Sequence, residues 1–259
     1  MTTEQLRHRM SPILKALKER SLRGRTPVEG LRRTECAYHG WDTVHADAAS
    51  WEPFAPGDAF GGLEAHRCFK GTVTLPEASA GKRVVCLVST GASDIWNNNN
   101  PQFLAYVDGR LVCGLDVNHN EFDLAACAVP GESHELALYV YCNTPARDVF
   151  LRVETAERDD DVTGLYYDLR APYEVCALLA DDDTRAIGIM KHLNRALNLL
   201  DLRDLDSGAF AQSVRDAREY LRTEFYDGFC GRTDATEACV GHTHIDVAWL
   251  WSLAQTREK

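Results

Sequence analysis

Near the carboxyl end of the chain, the stretch Ala238-Cys-Val-Gly-His242-Thr-His244-Ile-Asp246-Val-Ala-Trp249-Leu-Trp251 places two imidazoles and a carboxylate at intervals of two residues. Side chains two apart on an extended strand leave from one face, so His242, His244 and Asp246 are expected to point the same way. Burying three such groups is costly unless they pair or hold a cation. A metal is therefore the favoured occupant. Imidazole with carboxylate suits zinc, with manganese and iron as alternatives. The apolar run Ala238, Cys239 and Val240, closed by Gly241, predicts a short buried strand before the cluster. After it, Val247, Leu250, Trp251 and Ala254 recur at helical spacing and Gln255, Arg257, Glu258 and Lys259 turn polar, which predicts a helix. Candidate ligands at the carboxyl end of a strand occupy the place where α/β sheets and barrels bind their ligands.

The remaining elements must position that stretch. Leu6, Met10, Ile13, Leu14 and Leu17 fall on one helical face over residues 1–22, and Pro12 predicts a break into two pieces. Residues 24–59 carry turn formers and aromatics and read as a connector lying along a sheet. From residue 60 to about 157 the period becomes two. Strands are predicted over 69–75, 83–89, 103–107, 111–115, 136–142 and 149–153, with Asp108-Gly109 as a hairpin signal. Short strands so spaced predict an antiparallel β-sandwich, jelly-roll-like. The acidic run 159–161 reads as a solvated loop at a boundary, and Leu165, Tyr166, Tyr167 and Leu169 as a connecting strand or helix start. Ile187, Met190, Leu193, Leu197 and Leu200 form one helical stripe, and Phe210, Val214, Ala217, Leu221 and Phe225 another, joined around Asp206-Ser207-Gly208.

Composition narrows the function classes. The chain has 259 residues, 45% hydrophobic and 26% charged, the profile of a globular protein. Its 28 Lys and Arg against 39 Asp and Glu give a formal charge of −11, which argues against nucleic acid as a partner and permits a neutral substrate. No run approaches the ~18 apolar residues of a membrane span, and the basic start lacks a secretory apolar core. Neither a membrane partner nor secretion is expected, so a cytoplasmic location is. Nine Cys without a CxxC pair read as buried, reduced thiols.

H-x-H-x-D alone is shared by several metallohydrolase patterns. The metallo-β-lactamase pattern continues with His where this chain has Val247, and amidohydrolases carry H-x-H near the start of the chain. The continuation is more specific. His244-Ile-Asp246-Val-Ala-Trp249-Leu-Trp251 followed by Thr256-Arg257-Glu258-Lys259 resembles the opening of the catalytic domain of class II α-mannosidases, glycoside hydrolase family thirty-eight, in its cytosolic and vacuolar branch. The upstream order, with Tyr106-Val-Asp-Gly in the sandwich and Gly164-Leu-Tyr-Tyr-Asp-Leu before the helical pair, is also similar. The resemblance implies a multidomain protein: an N-terminal helix and connector (1–59), an accessory β-sandwich (60–158), a helical linker (159–235) and the first strand and helix of an α/β catalytic domain (236–259). It implies that His244 and Asp246 are zinc ligands and that Trp249 walls the mannose subsite, with His242 orienting the site from behind. It implies retaining hydrolysis of terminal α-mannosyl residues of oligosaccharides or glycans. It places the nucleophile, the general acid and the other ligands downstream of the motif, so no catalytic residue is expected within this chain, which should be silent alone and hold zinc weakly.

Two other classes stay open. The sandwich could be a carbohydrate-binding module with Trp96 and the amides at 97–100 as its rim, although a polar loop ending at Pro101 accounts for the same residues. The chain could instead be an unrelated metallohydrolase recruiting upstream His. Whether it forms a homo-oligomer is left open, and Trp249, Leu250 and Trp251 could equally seek a partner as apolar surface.

Overall fold

The computed structural model describes residues 3–38, 40–94, 96–97, 99–180, 182–231, 236–241, 244–249 and 251–258. The chain divides into two compact units, one of residues 1–23 with 158–240 and the other of 24–157 with 241–259.

The second unit is built on ten strands: β1 (Leu22–Pro27), β2 (Arg32–Glu35), β3 (Glu52–Pro53), β4 (Gly62–Thr74), β5 (Arg83–Ser89), β6 (Gln102–Val107), β7 (Arg110–Leu115), β8 (Glu121–Ala125), β9 (Ser133–Thr144) and β10 (Arg152–Arg158). They form a six-stranded sheet ordered β3-β2-β4-β9-β6-β7 and a four-stranded sheet ordered β1-β10-β5-β8. Pairing is antiparallel along the six-stranded sheet and between β5 and β8. One core joins them: Phe69 and Val73 of β4, Phe103 of β6 and Leu136, Leu138 and Val140 of β9 meet Val84 and Cys86 of β5, Phe122 of β8 and Val153 of β10. The arrangement is a β-sandwich.

Strand β9 is buried on both faces, because alternate residues serve different cores. Leu136, Leu138 and Val140 face the sandwich interior, whereas Ala137 and Tyr139 join Cys68, Tyr106, Val44 and Trp51 on the outer face. That outer face is covered by the connector, including the short helix α2 (Trp41–His45). The connector also supplies β2 and β3, where its turn formers and aromatics predict a loop. The predicted hairpin forms: Val107 pairs with Arg110 around Asp108 and Gly109, both at positive φ. Asp108 is tied back to β9, accepting from the Glu135 N–H and from His134, each at 2.9 Å. The final predicted strand is displaced, to β10 at 152–158, and β8 was not foreseen.

The other unit is helical. Helix α1 (Thr3–Arg20), α3 (Asp160–Leu178), α4 (Thr184–Leu199) and α5 (Gly208–Tyr220) share a core of Leu6, Met10, Leu17, Leu165, Leu169, Leu193, Phe210 and Val214 among others. Three expectations are corrected here. Helix α1 runs unbroken through Pro12: the ring removes one N–H, but Met10 and Leu17 are buried on either side of it and hold both halves in one core. The acidic run is a helix start, not a loop. Asp159 caps α3, accepting from the Val162 N–H at 3.1 Å, and Asp160 and Asp161 occupy its first turn, where carboxylates favour the helix dipole. After α5 the chain continues as a π-helix over Leu221–Cys230. No disulfide joins the nine cysteines, and Cys127, Cys230 and Cys239 are exposed, so burial describes only part of the set. No described helix is long and apolar enough to cross a membrane.

Candidate functional site

The motif segment does not form the predicted strand. Residues 238–241 are irregular and Val240 is 82% exposed. A strand needs a neighbour for its N–H and C=O groups, and neither described sheet includes this segment. His242, and Leu250 of the expected helical stripe, lie outside the described residues.

What survives is the pairing of the two principal candidates. His244 Nε2 stands 3.3 Å from Asp246 Oδ1, with side chains 72% and 60% exposed. Two ligands of a tetrahedral zinc, each bonded at about 2.0–2.2 Å, stand about 3.3–3.6 Å apart, so this separation suits two corners of such a site. Imidazole nitrogen and carboxylate oxygen are also the donors zinc takes. The fit stops at two donors: among the described residues no group of three His, Cys, Asp or Glu is poised to hold a metal.

Beyond Asp246 the backbone turns at residues 247–249, where Ala248 has φ 52°, a left-handed conformation that costs a residue with a Cβ. The turn is secured by its own side chains. Trp251 Nε1 donates to the Asp246 carbonyl at 3.0 Å, and the Ala248 N–H to Thr256 Oγ1 at 3.3 Å. Trp249, 67% exposed, meets Trp251 edge to face with ring centroids 5.6 Å apart. Thus Trp249, Trp251, Asp246 and His244 form one connected chain of contacts.

The helix that follows starts later than its apolar spacing predicts, as α6 (Leu253–Glu258). The start is set by a capping box, Ser252-x-x-Gln255: the Gln255 N–H donates to Ser252 Oγ at 3.3 Å, and the Ser252 N–H to Gln255 Oε1 at 3.0 Å. Gln255 is 3% exposed. Its amide also meets two residues of the sandwich, Asn99 Oδ1 at 3.4 Å and Asn143 Nδ2 at 3.4 Å. Tyr38 Oη donates to the Arg257 carbonyl. Sequence reasoning missed these anchoring residues. The S-x-x-Q box was a legible signal for the helix start; the partnership with Asn99, Asn143 and Tyr38 had none.

The upstream histidines are engaged elsewhere. His66 Nδ1 lies 2.7 Å from Tyr139 Oη, His134 bonds Asp108, His45 contacts the carbonyls of Trp41 and Gly109, and His192 bonds Tyr220. His39 is outside the described residues. Each of those four has a partner within its own unit, and among the described residues no three metal-type donors gather.

No protein-family model matches the chain. Along its whole length it is similar to alpha-mannosidase 2C1 of Mus musculus, 25% identical over 281 residues that span 100% of this chain and 25% of that protein. Its curated relatives are alpha-mannosidases. Alpha-mannosidase 2C1 of Homo sapiens is 26% identical over 229 residues, covering 81% of this chain and 20% of that protein. Alpha-mannosidase of Saccharomyces cerevisiae is 29% identical over 130 residues, covering 45% and 11%. The chain thus spans a quarter or less of the length of these mannosidases. Among solved structures, β-glucuronidase from Ruminococcus gnavus in complex with D-glucuronic acid aligns over 54% of this chain and 30% of that one, at a TM-score of 0.39 and 8% identity. Likeness at that level carries no inference about chemistry.

Proposed function

We propose that the chain is the N-terminal portion of a zinc-dependent, retaining α-mannosidase that hydrolyses terminal α-mannosyl residues of oligosaccharides. The observation that carries this reading is similarity to curated alpha-mannosidases, in one case along the whole chain, together with a motif whose two metal-type donors stand 3.3 Å apart. Residues 1–59 are then an N-terminal helix and connector, 60–158 an accessory sandwich, 159–235 a helical linker and 236–259 the beginning of the α/β catalytic domain. His244 and Asp246 are two ligands of the metal, and Trp249 walls the subsite of the mannose to be released. Zinc bound there supplies Lewis-acid polarisation of sugar hydroxyls. Retention requires two carboxyl groups, one as nucleophile and one as acid and base, and this reading assigns both to the longer protein. A neutral glycan suits a chain of charge −11, and cytoplasmic placement belongs to the same reading.

The test compares this 259-residue chain with the product of a coding region continuing past codon 259, on 4-nitrophenyl α-mannoside. The longer product is expected to turn over, to lose activity to a chelator and regain it with zinc, and to release α-mannose first by proton NMR. The 259-residue chain should show no turnover, and calorimetry should give zinc binding of about micromolar affinity or weaker, lost in His244→Ala. Turnover by the short chain, or nanomolar zinc affinity, would show the site complete within these residues. A longer product inert on the mannoside sinks the mannosidase reading.

A further inference from the structure

Trp96 is 84% exposed, although an indole is a side chain that gains much from burial. It is carried on a braced turn. Asp94 Oδ1 accepts the Trp96 N–H at 3.0 Å, the Asp94 carbonyl accepts Asn100 Nδ2 at 2.8 Å, and Asn97 Oδ1 accepts the Asn99 N–H at 3.0 Å. Asn99 then fixes the turn to the rest of the unit: its carbonyl accepts Thr144 Oγ1 at 2.7 Å, and its side chain meets Asn143 and the Gln255 amide. Gln255 is the residue that caps α6, six positions after Trp249. One amide network therefore joins the Trp96 turn to the motif segment.

The chemistry of the turn selects its occupant. A flat indole offers its face to the C–H side of a pyranose, and neighbouring amides both donate to and accept from hydroxyl groups. Residues 91–101 contain no Lys or Arg and one carboxylate, Asp94, and the chain carries −11. Nucleic acid, which would also stack on an indole, is thereby repelled.

We propose that Trp96 is a sugar-stacking platform that holds a pyranose of a neutral oligosaccharide. Asn99 and Gln255 join the turn to the motif segment; with Trp249 facing the mannose to be released, Trp96 takes a further sugar of the same oligosaccharide. That last assignment rests on the mannosidase reading; the stacking role does not.

The 259-residue chain has five Trp, and their indole N–H resonances can be followed in a titration with α-1,2-mannobiose. The Trp96 resonance, identified by its loss in Trp96→Phe, is expected to shift saturably, and calorimetric affinity for the disaccharide should fall roughly fivefold or more in Trp96→Ala. An unmoved Trp96 resonance, or unchanged affinity in the variant, overturns the proposal. So does a longer product in which acrylamide fails to quench Trp96, since another part of the protein would then cover it. In that longer product, Trp96→Ala should raise KM for mannotriose roughly fivefold, and the rise should exceed any change on 4-nitrophenyl α-mannoside, which has no second sugar. If the wild-type product is inert on the aryl mannoside, the functional reading fails, and the mannobiose titration still decides the platform.

Discussion

His192 lies where three aromatic rings meet, with centroids of Tyr220, Phe225 and Phe229 at 5.9, 5.6 and 5.1 Å. Desolvation by these rings, and then the Lys191 charge, push its pKa below the ordinary imidazole value; Glu224 opposes and Arg195 assists. The folded protein therefore resists protonation where the unfolded chain accepts it near pH 6.5. The contribution to stability is complete above the unfolded value and is lost as pH falls through the depressed folded value. Thermal midpoints followed at 222 nm should drop between pH 7 and 5, and His192→Phe should flatten that dependence; equal slopes in the two proteins would remove His192 as a cause. The same single-residue scale explains how the candidate site was read. His244 and Asp246 kept their mutual approach because residues two apart need only a locally extended backbone, whatever the longer-range partner. Their exposure was not legible, because burial depends on which elements neighbour the segment, and residue spacing does not state that.

Elements were legible where short-range chemistry decides them. Asp108-Gly109 specified its hairpin because both residues adopt positive φ, and the stripes that begin at Ile187 and Phe210 marked α4 and α5, although Ile187 is itself 51% exposed and Ile189 takes the buried place beside Met190. Strand β2, Arg-Arg-Thr-Glu, has no apolar alternation and exists because β4 offers it a partner, so only tertiary structure reveals it. The acidic run was a cap whose meaning depends on the helix behind it. Close packing between elements also sets the sign of small substitutions. A Cβ at Gly61, just before β4, would stand 2.6 Å from the Thr144 carbonyl oxygen and 2.8 Å from that of Pro145, both backbone atoms that no rotamer change can move. At Gly208, the first residue of α5, nothing lies within 4 Å. Gly61→Ala should therefore cost about 1–3 kcal/mol in urea unfolding, whereas Gly208→Ala should be neutral or stabilising by up to ~1 kcal/mol. Matching signs for the two would contradict this packing.

At the scale of the molecule, the helical unit is discontinuous in sequence. Arg9 reaches the side chain of Asn194, 185 residues away, and bonds Asn198 Oδ1 at 2.6 Å, while Leu6, Met10 and Leu17 complete the core of α3, α4 and α5. Leu17→Ala should cost the unit about 2–5 kcal/mol in thermal or urea unfolding monitored at 222 nm, as a core truncation does; a loss below ~0.5 kcal/mol would mean that α1 is an ornament on a core closed without it. The sequence showed the apolar face of α1 but could not show what it meets, since the partner arrives only after the whole sandwich. That arrangement has a consequence for synthesis. A ribosome adding about 5–20 residues per second produces α1 first, then the strands, and supplies α3 roughly ten to thirty seconds later. During that interval Leu6, Met10 and Leu17 have no native partner, and the sandwich itself waits for β10, which emerges just ahead of α3. Helix α1 is thus made well before the elements that bury it, so its apolar face stays uncovered while the strands emerge.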